Sequence, residues 1–219
     1  DHTILSDNSP TLSYWKTIFN RFVDGDTSFV DSLLTDSAQS FFYELVIFDD
    51  TTLNKTFHLL REQLDTSYVD YNISEITSDD VVGGFRNGWG LFIINMNAER
   101  EQILIQVPHP CDDFIAPYIA LDLFFETDAF GFMIAGAGRE VAWNQIGDYS
   151  NSKSISDPSR YPHTVFQKFQ DAVTEPLIGV NPHWPLVFAI HSFDNQTHLE
   201  RKPIIMAAGG QNPFTTKPI

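Results

Sequence analysis

The chain has 219 residues and a mass of 24.9 kDa; 42% of its residues are hydrophobic and nineteen are Phe. That is enough apolar material for the core of one globular domain, and it excludes intrinsic disorder. Thirteen Lys and Arg against 29 Asp and Glu give a formal net charge of −16, so nucleic acid and anionic membrane surfaces are not expected partners. The single cysteine, Cys111, rules out an intrachain disulfide framework and a cysteine-based zinc finger. No stretch approaches the roughly 18 apolar residues that cross a bilayer.

Residues 10–65 read as helical. Ser9-Pro10 starts a first helix, with proline tolerated in the first turn, and Leu12, Trp15, Ile18, Phe19 and Phe22 repeat at helical spacing before Asp24-Gly25-Asp26 breaks the pattern. Phe29, Leu33 and Leu34 suggest a second short helix, and Thr52–Leu64 a third, with Leu53, Phe57, Leu60 and Leu64 on one face. A polar, acidic connector follows from Asp65 to Asp80.

The hydrophobic period then changes. Residues 88–95 and 102–107 read as strands joined by a turn at Asn97–Arg100, together a β-hairpin. An irregular segment from Pro108 to Phe114 precedes a helix that Pro117 places near its own position. Phe130–Ala135 reads as a buried strand ended by Gly136-Ala137-Gly138, and a long polar loop runs to Pro162. His163–Thr174 reads as a helix with Val165, Phe166, Phe169 and Val173 inward; Pro185–Ile190 reads as another buried strand and Pro203–Ala208 as a weaker one. Strands apolar on both faces and alternating with helices imply an α/β fold: a mixed, largely parallel sheet with helices on both faces, preceded by a helical N-terminal segment. The expected division is residues 1–80 as a helical cap or extension and 81–219 as the α/β domain.

Three polar residues follow inferred buried strands: His109, Arg139 and His191. Ligands bind at that edge of open α/β sheets. Two imidazoles and one carboxylate, Asp112 or its neighbour Asp113, make a three-ligand metal set with one position open for water. The alternative for His109 is a surface-loop histidine, for the two aspartates a helix cap, and for Arg139 a partner for one of the many acids. Arg160 and His163 lie at a helix start, where anions bind favourably, and are candidates to hold a substrate carboxylate; a capping segment with incidental charges is the alternative.

The segments Val107-Pro108-His109-Pro110-Cys111-Asp112, Gly138-Arg139-Glu140-Val141-Ala142-Trp143-Asn144 and Ala189-Ile190-His191-Ser192-Phe193 resemble the N-formylglutamate amidohydrolase family, within the zinc-carboxypeptidase-like superfamily. The likeness covers roughly residues 88–210. It implies Zn2+ held by His109, Asp112 and His191, and Arg139 on the substrate carboxylate. Asn144 stands where the family has an Asn-Arg pair. Here the acidic ligand is Asp rather than the Glu usual in the carboxypeptidases. Glu200 and Glu140 are the candidates for the general base, which the carboxypeptidases carry beyond the length of this chain.

The implied activity is zinc-dependent hydrolysis of an amide bond (formyl-amino acid, acyl-amino acid or peptide) next to a carboxylate, on a small carboxylated or peptide substrate. The alternatives are a non-catalytic carboxylate-binding domain of the same fold and a fragment of a larger metallohydrolase. The first residue is Asp1 rather than Met; a cleaved export signal, a trimmed tag or an excised domain would each leave that start. Of these, export to the periplasm or the extracellular space is the expectation.

Overall fold

The computed structural model describes residues 9–36, 41–65, 85–138 and 156–192. Helices α1 (Pro10–Val23) and α2 (Thr27–Leu34) precede strands β1 (Tyr43–Asp50), β2 (Lys55–Glu62), β3 (Leu91–Asn95) and β4 (Arg100–Val107); α3 (Ala116–Glu126), β5 (Ala129–Ile134), α4 (Val165–Thr174) and β6 (Leu186–Ala189) follow. The strands form one sheet in the order β1-β2-β3-β5-β4-β6.

The fold is α/β, with helices on both faces. Leu12, Trp15, Ile18, Phe19 and Phe22 of α1 and Val165, Phe166, Phe169 and Val173 of α4 pack with Phe92, Ile94, Leu104 and Met133 on one side of the sheet. Ala116, Ala120 and Phe124 of α3 cover Phe57, Ile93, Ile103, Ile105 and Phe132 on the other. Because adjacent strand residues point to opposite faces, β4 contributes Leu104 to the first core and Ile103 and Ile105 to the second. Pro117 falls in the first turn of α3, as its missing N–H requires.

The sequence expectations differ from this architecture at four points. The N-terminal part is not helical throughout: in place of a helix over Thr52–Leu64, β2 pairs antiparallel with β1 over eight registered positions, Tyr43↔Glu62 to Asp50↔Lys55. Apolar residues on both faces of β2 imitate a helical period, while the turn is set by Asp50, whose Oδ1 accepts from the Thr52 and Leu53 amides, and by Asn54 at φ 52°. β2 also pairs with β3, so the N-terminal strands belong to the same sheet as the rest.

The sheet is mixed but mostly antiparallel: β1–β2, β2–β3 and β3–β5 are antiparallel, and only β5–β4 and β4–β6 are parallel. β3 and β4 are not a hairpin, because β5 lies between them and bonds to both. Gly131 of β5 lies opposite Leu104 of β4, where a Cβ would approach Leu104 Cδ1 to 2.8 Å. Asp128, at the start of β5, binds the β3–β4 connection by accepting from Asn95 Nδ2 (2.7 Å), the Glu99 amide (3.1 Å) and Lys55 Nζ (2.7 Å). Finally, β6 is an edge strand among the described residues, with Leu186 and Phe188 both 39% exposed rather than buried.

The expected strand at Pro203–Ala208 and the connector after Asp65 lie outside the described residues, except Asp65 itself. Among the described residues, no helix is long and apolar enough to cross a membrane.

Candidate metal centre

The parallel pair β4–β6 brings the two histidines together. Gln106 is in register with Ala189, and the Ile190 amide donates to Gln106 O at 2.9 Å. Each histidine follows two residues after the end of its strand, so both emerge at the same carboxyl edge, with ring centroids 4.9 Å apart. β5 ends at that edge too, with Val107 opposite Ile134. The topology explains why: parallel neighbours present equivalent ends on one side.

The carboxylate that joins them is Asp113, not Asp112. The amides of both aspartates donate to His109 O, at 3.2 Å for Asp112 and 2.8 Å for Asp113. The segment therefore closes one helical turn, and a helical turn places residue i+4 beside residue i. Asp113 is buried and Asp112 is exposed. Asp113 Oδ2 lies 2.8 Å from His191 Nδ1 and 3.7 Å from His109 Nδ1, and its Oδ1 accepts from Ser192 Oγ at 3.2 Å.

His109, Asp113 and His191 can hold a metal ion: one ligand atom from each lies within 4.8 Å of the others. Ligand bonds of about 2.0–2.1 Å in a tetrahedron put ligand atoms about 3.3 Å apart, and the two separations to Asp113 Oδ2, 2.8 and 3.7 Å, bracket that value. His109 Nδ1 is buried and has no hydrogen-bond partner, so the donor set includes a nitrogen with no other use.

Asp157 fixes that nitrogen. Its Oδ1 lies 2.8 Å from His109 Nε2 and accepts from the Ser159 amide (2.9 Å) and Ser159 Oγ (2.5 Å). Burial alone would push the Asp157 carboxyl up, but the hydrogen bonds from His109 and Ser159 outweigh it and hold the pKa at about 2. An ionised carboxylate only accepts, so Nε2 carries a proton, and in the neutral ring the Nδ1 lone pair faces Asp113 and His191.

Asp157 and Ser159 are the site residues that sequence reading missed. Asp157 is one of 29 acids in the chain and lies in a long polar stretch of sequence; only the folded chain brings it to His109. Asp113 stood beside Asp112 as an alternative, but Pro108–Phe114 reads as irregular, and the turn that selects the fourth residue after His109 appears only in the folded chain.

Arg160 reaches the site indirectly, with Nε 3.4 Å from Asp157 Oδ2. His163 precedes the α4 cap Thr164, its ring edge-on to Tyr161, and is not among the grouped metal donors. Arg139, Glu140, Asn144 and Glu200 lie outside the described residues. No protein-family model, curated protein or solved structure matches this chain.

Proposed function

We propose that the chain is a zinc-dependent hydrolase cleaving an amide bond next to a carboxylate, with His109, Asp113 and His191 as metal ligands. The observation that carries this reading is the buried, unpartnered His109 Nδ1 beside Asp113 and His191. An unsatisfied buried polar atom costs about 1–3 kcal/mol; His58 Nδ1 is left bare in the same way, but His109 is the one of the two that stands in a group with a carboxylate and a second imidazole. Two imidazoles and one carboxylate suit zinc better than calcium or magnesium, which take oxygen ligands.

Bound zinc supplies a Lewis acid for the scissile carbonyl and a water acidified to a pKa of about 7. The chain's own residues do the rest. Asp157 holds the His109 ring, and Ser192 holds Asp113. Arg139 is assigned to the substrate carboxylate, which a planar guanidinium matches bidentately. In support, the carbonyl of Gly138, the residue before it, accepts from Ser156 Oγ at 3.2 Å, next to Asp157. Asn144 is assigned to the same substrate, and Glu200 or Glu140 to the general base. Two histidines closing parallel strands agree with the resemblance to N-formylglutamate amidohydrolases, whereas an acidic ligand four residues after the first histidine departs from it.

The test is zinc content by elemental analysis, followed by hydrolysis of N-acyl amino acids by the zinc-loaded protein. We expect about one zinc per chain, as a three-ligand site requires, with loss of most of it in His191→Ala. No zinc in the wild type after loading would overturn the proposal. Zinc without hydrolysis would leave a carboxylate-binding domain.

A further inference from the structure

Among the described residues, the metal group reaches the surface at His191, and the segment that follows Asp113 is apolar and exposed. His109, Asp113 and Asp157 are buried, whereas the His191 side chain is 42% exposed, so a ligand arrives past His191. The residue after Asp113 is Phe114, 76% exposed; Ile115 is 47% and Tyr118 73% exposed. The residue before His191 is Ile190, which packs against the α3-side core. The 2.8 Å bond between Asp113 Oδ2 and His191 Nδ1 pins these two segments against each other. Phe114 and Ile190 are thus each one peptide away from a metal ligand.

The segment itself is uncharged, between Asp113 and Asp122, in a protein that carries −16 overall. A surface helix normally turns polar residues to water, but α3 exposes Tyr118, Ile119 and Leu121. Exposed apolar side chains gathered along one segment mark binding surfaces, and because this segment begins at the residue after Asp113 it points to what binds: the part of a substrate that lies beyond the reacting amide.

We propose that Phe114, Ile115 and Tyr118 seat an apolar group of the substrate, so that the amide cleaved carries a long acyl chain or bulky apolar side chain rather than a formyl group. This rests on the metal reading above and narrows its substrate class. A formyl group has no atoms to cover the shelf. An acyl chain of several methylenes removes both itself and the aromatic rings from water.

The test uses straight-chain alkyl hydroxamates, which bind zinc through two oxygens whether or not the protein hydrolyses anything. Dissociation constants for the zinc-loaded protein are measured from acetohydroxamate to decanohydroxamate. The expected result is tightening by about two- to threefold per methylene, below the roughly fourfold of full burial, until the chain outgrows the shelf. In the double variant Phe114→Ser, Tyr118→Ser the gradient flattens while bound zinc stays at the wild-type level. Equal affinity across the series in the wild type, or an undiminished gradient in the double variant, would overturn the shelf and leave the metal reading intact. Absence of both zinc and hydroxamate binding would overturn the metal reading, and the shelf with it.

Discussion

His109 Nε2 lies 2.8 Å from Asp157 Oδ1, a residue 48 positions further along the chain and almost completely buried. This contact decides which nitrogen of His109 is free, because an ionised carboxylate accepts at Nε2 and leaves Nδ1 for the group formed with Asp113 and His191.

Replacing Asp157 with Asn keeps the shape of the side chain and removes the charge. The amide can also turn its NH2 toward Nε2, which favours the tautomer with the proton on Nδ1. Zinc affinity is expected to fall about 10- to 100-fold, as for other groups that orient a ligating histidine. Competition against a chromophoric chelator measures it, with circular dichroism to check the fold. Unchanged affinity in a folded variant would deny Asp157 this role.

The neighbouring aspartates separate by the same assay. Asp113→Asn removes a ligand oxygen and should weaken zinc binding by at least 100-fold, on the scale of losing one of three protein ligands. Asp112→Asn, at an exposed position outside the metal-donor group, should change it by no more than about threefold. The reverse order of effects would place the ligand at the third rather than the fourth residue after His109.

Asp128 supplies a pH-dependent prediction away from the metal group. Burial raises its carboxyl pKa, but hydrogen bonds from Lys55, the Glu99 amide and Asn95 reverse this and hold it below the ordinary 3.8. A lowered folded-state pKa contributes stability above the unfolded value, and that stability is lost as pH falls through the folded one. Asn tolerates the left-handed backbone that Asp128 adopts at φ 49°, so Asp128→Asn isolates the charge. The variant should be about 1–2 kcal/mol less stable near neutral pH. Urea unfolding at successive pH values should show that difference shrinking below about pH 4. A difference that stays constant into strong acid would mean that the Asp128 charge contributes nothing.

Much of the candidate site was legible before the fold. His109 and His191 each end an apolar run, and because β4 and β6 are parallel neighbours those two ends fall at one edge of the sheet. The sequence did not order the strands. β2 is covered on both faces and shows no alternation to distinguish it from a helix, and the insertion of β5 between β3 and β4 is a long-range pairing that no local pattern encodes. The expectation of a largely parallel sheet failed for the same reason: strands apolar on both faces need only be covered twice, and α1, α2, α4 and α3 do that here for a mostly antiparallel sheet.

By itself the sequence determined the chain's acidity, the positions of α1, α3, α4 and most strands, and the two histidines that can meet. These follow from local periodicity, proline and charge, which act over a few residues. Tertiary structure decided that Asp113 rather than Asp112 faces them, and that Asp157 holds His109. Those choices depend on the turn closed after His109 and on the Ser156–Ser159 segment beside it, where burial and hydrogen-bond satisfaction select one carboxylate from among many.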